Sequence, residues 1–413
     1  MLRGRWFISA LLFCVSFSGW SQANGGGWVI DRERKPDSPL LRQGKAIANL
    51  SEEERQHRAI VLAFRQATEK YQGEIRQHWP SSEVSSKTRW VTYSEDWSSK
   101  RVVDFEKNHI EISVENQFAN RRIDFGVLSK TVQKELEVVL GSSISGALAK
   151  DPVQRAVDRV ITQYSKEPPS AEDGGLVLEE LFTKASPTPK AISKKAKLLL
   201  KNASIRYQVL TASIAALPIG GNKKITYTIP LPDNRIRKKV RKFAPIAKKN
   251  AQRFDLSSDV VMAIIHTESH FNPLARSGVP AFGLMQIVPA TAGRDAAKKL
   301  YKKSKLLSAR YLYNPSRNIE AGAAYLHVLY YNYLKGIKNP ESRLYYAIAS
   351  YNGGASSSAK AFIKQASFKK ALSVINSMTP DQVLKTLMTK LPRRETREYV
   401  SKVLKRRNYY KRV

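Results

Sequence analysis

The sequence has almost no cysteine: the only one among 413 residues is Cys14, inside a short apolar stretch, Trp6–Phe17. A chain processed beyond this stretch has no cysteine and cannot form a disulfide. No cluster of Cys and His has metal-ligand spacing. His266 and His270 are four residues apart, but the acid between them is Glu268, two positions after the first histidine, which does not fit the His-Glu-x-x-His zinc motif. We therefore interpret both histidines as structural and expect neither a metal nor another cofactor.

Acidic residues are also few: 35 Asp and Glu stand against 70 Lys and Arg, for a formal net charge of +35. Such an excess indicates a polyanionic partner. Nucleic acid, an anionic lipid surface and a carboxylate-rich cell wall all satisfy this condition, so the charge does not choose among them. The hydrophobic content of 42% is that of an ordinary globular chain, and the length suggests two domains.

Long apolar runs are missing as well, since none reaches about 18 residues without a charge, and this excludes a transmembrane helix. Arg3 and Arg5 precede the short N-terminal apolar stretch, and the small residues Ser21 and Ala23 follow it. This order is typical of a secretory signal peptide, residues 1–23, cleaved after Ala23. We therefore expect an exported, periplasmic protein, which makes nucleic acid an unsuitable partner.

The position of Cys14 allows a second interpretation. Leu11–Cys14 resembles a lipoprotein processing box, but the bulky Phe13 stands where a small residue is expected. We therefore favour cleavage after Ala23 over lipidation at Cys14. Association with the outer membrane stays open as an alternative.

The first part of the mature chain has the pattern of a helix followed by short strands. Apolar residues recur at helical spacing over Ser51–Gln77. Apolar and polar residues then alternate in Arg89–Tyr93, Arg101–Phe105 and His109–Val114, with polar turns between them. A small antiparallel sheet is the natural prediction.

The middle of the chain indicates an irregular connection and two more strands. The Pro-containing segment Ser165–Lys190 is predicted to be a loop. Strand patterns resume in Arg206–Leu217 and Lys224–Ile229, and the prolines that follow end the second one. We place a domain boundary near Asp233.

Beyond this boundary the pattern is helical almost throughout. The predicted helices are Ile236–Phe254, Ser258–Ser269, Ser316–Leu334 and Arg343–Tyr351. The expected fold class is therefore an α+β N-terminal domain, residues 24–233, followed by an all-α domain, residues 234–413.

One acidic residue stands on an apolar helix face. Glu268 lies three, four and seven residues after Ile265, Ile264 and Val261, in the last turn of the predicted helix. Burial there raises the pKa of a carboxyl group, as a general acid near neutral pH requires, and the helix C-terminus acts in the same direction. From position alone, a buried structural Glu paired with an Arg is an equally good interpretation.

The residues around and after Glu268 resemble the soluble-lytic-transglycosylase family of lysozyme-like glycosidases, over roughly Arg235 to the C-terminus. The matching motifs, in family order, are Glu268–Pro273 with Ala275 and Ser277, Gly283–Pro289, Ser350–Gly354 and Glu395–Val400. The N-terminal half resembles the accessory domain of a membrane-bound member of the family. The resemblance implies that the second domain is a lysozyme-like catalytic domain acting on peptidoglycan.

The resemblance also implies roles for individual residues. Glu268 is the expected catalytic acid/base. The residues expected to line the substrate cleft are Ser277, Met285, Gln286, Tyr351, Asn352 and Glu395. Each has a structural interpretation when taken alone, such as core packing for Met285 or a loop hydroxyl for Ser277.

Glycosidases usually employ two carboxyl groups, but only Glu268 stands in the motif, and no motif places Asp295 opposite it. The reaction that the family resemblance implies needs only one carboxyl group. Glu268 first protonates the glycosidic oxygen after N-acetylmuramic acid, and it then accepts the proton of the C6 hydroxyl as a 1,6-anhydro ring closes. Peptidoglycan glycan strands are thus the expected substrate, with an anionic membrane surface as a further partner.

Three alternatives remain. A hydrolase of the same fold, like goose-type lysozyme, would activate water with the same Glu and leave reducing ends. A non-catalytic wall-binding protein would retain the motif without activity. A nucleic-acid binder would employ basic runs such as Lys405–Arg407, which solvated helix faces also explain.

Overall fold

The computed structural model describes residues 50–116, 125–165, 175–208 and 223–412, together with two short strands nearer the N-terminus. These strands, β1 (Trp20–Gln22) and β2 (Trp28–Ile30), pair antiparallel. The apolar stretch of the predicted signal peptide, Cys14 and the residue Ala23 of the predicted cleavage site lie outside the described residues. Among the helices that are described, none is both long and apolar enough to cross a bilayer.

A long amphipathic helix, α1 (Glu52–His78), begins the N-terminal half. The Ser51 hydroxyl accepts a hydrogen bond from the backbone N–H of Glu54, and the Glu54 carboxylate accepts one from the N–H of Ser51. This reciprocal capping satisfies two donors that a helix start otherwise leaves free. Ile60 and Phe64, one helical turn apart, are buried on the inner face. The helix predicted for this segment is confirmed.

An antiparallel five-stranded sheet packs beside α1, in the order β3-β4-β5-β7-β6. Its strands are β3 (Arg89–Tyr93), β4 (Ser99–Asp104), β5 (His109–Asn116), β6 (Ser204–Gln208) and β7 (Lys223–Pro230). Ile110 and Ile112 of β5 lie opposite Ile229 and Tyr227 of β7, and their common face is buried because side chains alternate across a strand. The predicted sheet is confirmed; the part of its fourth predicted strand beyond Gln208 lies outside the described residues.

Four helices of the N-terminal half lie between β5 and β6 along the chain. They are α2 (Phe125–Gly141), α3 (Ile144–Lys150), α4 (Pro152–Ser165) and α5 (Pro189–Leu200). None of them is predicted from the sequence pattern. The α+β class is nevertheless confirmed, since helices and an antiparallel sheet together form this half.

The prediction of a loop over Ser165–Lys190 is wrong in its second part. A 3₁₀ turn forms at Glu179–Leu181, and Val177 and Leu178 before it are fully buried. Thr188 caps α5, whose first residue is Pro189. Proline suits the first turn of a helix because the N–H that it lacks has no partner there, so these prolines begin a helix. Residues 166–174 lie outside the described part.

The C-terminal half is helical, as predicted. Its helices are α6 (Arg235–Arg253), α7 (Ser258–Ser269), α8 (Ala292–Tyr301), α9 (Ala309–Tyr313), α10 (Pro315–His327), α11 (Pro340–Gly353), α12 (Ala355–Ser358), α13 (Phe368–Asn376), α14 (Pro380–Lys390) and α15 (Arg394–Tyr410). A π-helical turn, Val328–Tyr333, extends α10, so the single helix predicted over Ser316–Leu334 has two parts. The predicted boundary near Asp233 falls in the short connection between β7 and α6.

The two halves share one hydrophobic core. A single cluster of buried side chains runs from Ile60 and Ile112 in the N-terminal half to Ile264 and Val400 in the C-terminal half. Helix α7 lies at its centre, with Val261, Ile264 and Ile265 fully buried. Because packing is continuous across the boundary, the two halves hold each other in a fixed arrangement at the contact.

A buried polar cluster ties the start of α6 to the sheet. The Arg235 guanidinium, which is 0% exposed, donates to the Asn108 side chain at 2.6 Å and to the Phe105 carbonyl at 2.8 Å. The Glu180 carboxylate lies 3.4 Å from Arg235 and 2.8 Å from the Lys239 ammonium. Two cations thus share one buried carboxylate, and this balances charge in a place where an unpaired ion would be costly.

Candidate active site

Helix α7 ends in a sharp reversal that follows Glu268 directly. His270 and Phe271 both adopt the left-handed conformation, with φ of 48° and 61°. Two successive non-glycine residues in this region are unfavourable on their own. Contacts compensate: an Arg406 N–H lies 2.7 Å from the His270 ring nitrogen, and the buried Phe271 ring stacks on Phe243 at 6.1 Å. The reversal brings the chain after α7 back over its C-terminal end.

Glu268 is 3% exposed at the end of α7. Burial raises the pKa of its carboxyl group above the ordinary value, and the nearby carboxylate of Glu395 acts in the same direction. The Lys87 ammonium, 3.4 Å from Glu268 Oε2, opposes them. Burial has the largest effect, so the carboxyl group retains its proton to a higher pH than an exposed glutamic acid does.

Two tyrosines surround the same carboxyl group. The buried Tyr399 hydroxyl of α15 approaches Glu268 and favours its charged form, although it completes no hydrogen bond of ordinary geometry. The Tyr351 hydroxyl of α11 donates to the Met285 carbonyl at 2.9 Å. Burial first, and the charge of Glu268 second, raise the pKa of Tyr351 well above its ordinary value. Both phenols therefore stay neutral and serve only as hydrogen-bond donors or acceptors.

The cation beside Glu268 comes from the N-terminal half. Lys87 lies between α1 and β3, and its ammonium is also 3.5 Å from Glu395 Oε1. This lysine bridges a buried carboxylate and one that is 60% exposed. The sequence pattern does not reveal Lys87 because nothing local distinguishes it from the other lysines. Tyr399 stands in the motif Glu395–Val400, which is the signal that points to it.

The tight turn that carries Met285, the partner of the Tyr351 hydroxyl, is built around Gly283, whose φ is 76°. A Cβ atom at this position would lie 2.2 Å from the Leu312 carbonyl oxygen, so only glycine fits. The buried Asn318 side chain accepts from the Met285 N–H at 2.7 Å and donates to the carbonyls of Phe282 and Leu312. One asparagine therefore joins the turn around Gly283 to α9, and it is absent from the predicted site.

Gln286 follows in this turn with a left-handed φ of 51°. Its side-chain amide nitrogen donates to the carbonyls of Ala275 and Gly283 at 2.9 and 3.0 Å. Its Oε1 is buried and has no partner among the described residues. These two bonds fix the orientation of the Gln286 side chain against the turn.

The other predicted cleft residues occupy different environments. Met285 is 0% exposed, and its sulfur fills the space beside Gly322, so its side chain belongs to the core and only its carbonyl faces Tyr351. The half-buried Ser277 hydroxyl donates to the Val279 carbonyl at 2.9 Å. Asn352 is half-buried in the last turn of α11. The structure thus groups Glu268, Tyr351 and Glu395, with Gln286 and Met285 on the adjoining turn.

Asp295 and the two histidines lie in other surroundings. The Asp295 carboxylate accepts from the Tyr333 hydroxyl at 3.0 Å, and burial raises its pKa to about 6. His266 Nδ1 lies 2.8 Å from the Tyr410 hydroxyl. Burial lowers the pKa of His266 to about 3, with Arg406 adding to the effect. These contacts give both histidines packing roles.

The motif region matches a known family. Residues 245–374 match the family model described as the Transglycosylase SLT domain. This segment of the chain is therefore similar to the SLT transglycosylase domain, in agreement with the predicted order of motifs. Glu268, Gln286 and Tyr351 lie inside the matched segment, whereas Lys87, Glu395 and Tyr399 lie outside it.

The chain is similar to curated proteins of one kind. It is 43% identical over 185 residues to the membrane-bound lytic murein transglycosylase C of Yersinia enterocolitica, covering 45% of this chain and 51% of that protein. The protein of the same name from Yersinia pestis strain Pestoides F is 44% identical over the same length. The chain thus spans about half the length of these relatives.

Among solved structures, the X-ray structure of an inactive mutant of the lytic transglycosylase Slt from Pseudomonas aeruginosa is 29% identical. The similarity covers 41% of this chain and 24% of that one, with a TM-score of 0.32.

Proposed function

We propose that this protein is a peptidoglycan lytic transglycosylase that cleaves the MurNAc-β-1,4-GlcNAc bond without water and leaves 1,6-anhydromuramyl ends. The observation that carries the proposal is the environment of Glu268: a buried carboxyl group with a raised pKa, surrounded by Lys87, Tyr351 and Tyr399, inside the segment that matches the SLT domain. The names of the curated relatives, lytic murein transglycosylases, support the same reaction.

In the first step, Glu268 acts as a general acid. Its buried position raises the pKa of the carboxyl group, so Glu268 holds its proton to a higher pH than an exposed glutamic acid does. Protonation of the glycosidic oxygen after N-acetylmuramic acid releases the leaving sugar. The N-acetyl group of the substrate stabilises the cation that develops at C1.

In the second step, the same residue acts as a base. The Glu268 carboxylate accepts the proton of the C6 hydroxyl, which attacks C1 and closes the anhydro ring. Lys87, at 3.4 Å, stabilises the carboxylate during this interval. Tyr351 and Tyr399 limit the access of water because both lie beside Glu268, Tyr399 buried and Tyr351 half-buried.

The substrate contacts that we propose lie on the turn beside Glu268. Gln286 is the residue of this turn that we assign to the N-acetyl group of the substrate, since its side chain is an amide that can both donate and accept. Ser277, Asn352 and Glu395 line the cleft through side chains that are exposed or half-buried. Met285 contributes through its carbonyl oxygen and through the packing that fixes Tyr351.

One observation favours a hydrolytic alternative. Glu395 lies on the far side of Lys87 from Glu268, and a second carboxylate near a general acid could activate water. However, the Lys87 ammonium stands between the two carboxylates and pairs with Glu395, which is 60% exposed. This arrangement suits neutralisation of Glu395 better than a role as a base.

The products of purified peptidoglycan digestion separate these reactions. We expect mass spectrometry to find anhydromuramyl ends from the wild-type chain, and Glu268→Gln to lower the rate by a factor of about 100 or more, because general acid–base catalysis contributes about 100- to 10,000-fold. Glu395→Gln should retain the anhydro product. Reducing ends from the wild type would establish hydrolysis instead, and unchanged cleavage by Glu268→Gln would support a non-catalytic role for the motif.

We further propose where the protein acts and how it is organised. Export after residue 23, a periplasmic location and contact with a membrane surface agree with the charge of +35 and with the word membrane-bound in the names of the relatives. We assign catalysis to residues 234–413 and an accessory role to residues 24–233. Salt-sensitive binding to purified wall and not to DNA is the expected behaviour.

A further inference from the structure

The segment that carries Lys87 is held against the chain that follows α7. The Asn272 side chain donates to the Lys87 carbonyl at 3.2 Å, and the Arg276 N–H donates to the Ser86 carbonyl at 3.3 Å. Asn272 and Arg276 are both buried, at 0% and 3% exposure. The backbone of Lys87 is therefore fixed by contacts that do not involve its ammonium group.

The side chain of Lys87 reaches from this anchor to Glu268. Its Nζ lies 3.4 Å from Glu268 Oε2 and 3.5 Å from Glu395 Oε1, and the side chain is 31% exposed. Lys87 is more than a hundred residues before the matched segment 245–374, in the half of the chain that we regard as accessory.

We propose that Lys87 is a positioning residue of the active site, supplied by the N-terminal half, which orients the Glu268 carboxyl group and sets the pH range in which it can act as acid and then as base. This inference rests on the proposed function, because it assigns those two roles to Glu268. The accessory half then completes the catalytic site and does more than assist attachment or substrate binding.

The charges around Glu268 give the direction of the effect. In the described part of the chain, four titratable groups face it: Lys87 from the N-terminal half, Tyr351 from α11, and Glu395 and Tyr399 from α15. Lys87 is the cation among them, and it opposes the upward effect of burial and of Glu395 on the Glu268 pKa. An opposite charge within about 4–6 Å lowers the pKa of a carboxyl group by about 1–3 units.

This opposition matters because Glu268 must perform two tasks. A carboxyl group that is only buried would hold its proton too firmly to release it, and a carboxylate paired too strongly would not be protonated at all. General acid–base catalysis is most efficient when the pKa lies near the working pH. Lys87 supplies the charge that moves the buried Glu268 back toward that range.

The test compares Lys87→Met with Lys87→Arg and with the wild-type chain, all at full length. Methionine keeps the unbranched apolar stem and the backbone contacts but removes the charge, whereas arginine keeps the charge. Lys100→Met is the matched control, because Lys100 is an ion-paired lysine of the same half, 3.1 Å from Glu83. The readout is kcat/KM on soluble glycan strands as a function of pH.

We expect the alkaline limb of this profile, where Glu268 loses its catalytic proton, to move up by about 1–3 pH units in Lys87→Met. It should stay near the wild-type position in Lys87→Arg and Lys100→Met. An alkaline limb that coincides with that of the wild type in a folded Lys87→Met variant would overturn the inference. If this variant does not fold, Lys87→Gln provides the same comparison.

A second readout separates this inference from the proposed function. The protonated carboxyl band in the infrared difference spectrum between a chain with Glu268 and its Glu268→Gln counterpart reports the Glu268 titration without substrate. Removal of the Lys87 charge should raise the midpoint of this band. If the midpoint rises when the Lys87 charge is removed but the protein cleaves no peptidoglycan, the transglycosylase reaction is refuted and the electrostatic coupling is retained. If the midpoint does not change, the coupling is refuted.

Discussion

At the scale of the residue, Glu268 shows two effects in opposition. Burial at 3% exposure favours the neutral form, and the ammonium of Lys87 favours the charged form. The pKa is raised because the carboxylate loses more hydration free energy on burial than it gains from the attraction of the partly exposed Lys87 ammonium. The charged form of Glu268 therefore lowers the stability of the folded protein. Such destabilising residues are common in active sites.

This cost predicts that Glu268→Gln stabilises the protein. The folded-state pKa of Glu268 is raised above the ordinary value. The contribution of protonated Glu268 to the stability of the folded protein is therefore fully present below the ordinary pKa, and it is lost as the pH rises through the folded-state pKa. The neutral amide avoids that loss. Thermal unfolding at about pH 4 and about pH 8 should show that the variant has a higher Tm than the wild type, with the larger gain at the higher pH. The corresponding gain in the free energy of unfolding is about 1.4 kcal/mol for each unit by which the pKa is raised.

The contradicting result would be a Glu268→Gln variant that is less stable than the wild type at the higher pH. Glu398→Gln, on the exposed side of α15 and paired with Arg394, serves as a surface comparison and should change Tm little.

At the scale of the element, the turn from Gly283 to Ile287 positions the carbonyl that receives the Tyr351 hydroxyl. The N–H of Phe282 donates to the Ile287 carbonyl and the reverse bond also forms, both at 3.1 Å. Asn318, on α10, forms hydrogen bonds with the Met285 N–H and the Phe282 carbonyl of this turn, and with the Leu312 carbonyl of α9. The turn is thus fixed by a neighbouring helix, because its own short ladder is too small to be stable alone.

Gly283→Ala should disrupt this turn. The new Cβ would meet the Leu312 carbonyl oxygen at 2.2 Å, and the φ of 76° disfavours any side chain. We expect a loss of about 3 kcal/mol or more in the free energy of unfolding, from backbone strain together with the clash. Denaturant titration followed by circular dichroism measures it.

Gly278→Ala is the matched control for this substitution. A Cβ at Gly278 would have nothing within 4 Å, so the change should lie within about 0.5 kcal/mol of the wild type. Equal effects of the two substitutions would show that the position of the glycine does not matter and would contradict the account of the turn.

At the scale of the whole molecule, the two halves are joined by a shared core and by the buried cluster of Glu180, Arg235 and Lys239. This cluster fixes the start of α6 against the sheet, and the Lys87 segment is fixed in the same way against the chain after α7. The position of Lys87 relative to Glu268 therefore depends on how the halves pack. Substitutions at the junction should affect both stability and the site.

Glu180→Gln should destabilise the chain by about 3–5 kcal/mol, because it leaves two buried cations without their carboxylate. The neighbouring substitution Glu179→Gln removes a pair with Lys242, whose side chain is 40% exposed, and should cost about 0–1 kcal/mol. The midpoints of thermal unfolding compare the two. A Glu180 variant as stable as the Glu179 variant would show that the junction does not rely on this charge.

Much of the fold follows from local patterns. Apolar residues at helical spacing predict α1 and α7 within a residue or two, and alternating apolar and polar residues predict the strands from Arg89 to Val114. Each pattern shows which face of an element is directed inward. The helices α2–α5 are not predicted, because a helix can begin in a polar, proline-containing segment that resembles a loop, as at Thr188 and Pro189. The order of the motifs predicts the match of residues 245–374 to the SLT domain model and singles out Glu268 as the candidate acid, since each motif is a short contiguous run.

By itself, then, the sequence determined the fold class and the match of residues 245–374 to the SLT domain model, and it singled out Glu268 as the candidate acid. Only the tertiary structure decided what faces that acid. Lys87 reaches it from the other half of the chain, Asn318 holds the turn from another helix, and Met285 points into the core. Such contacts join residues far apart in sequence, and they depend on how elements pack, which no local spacing records.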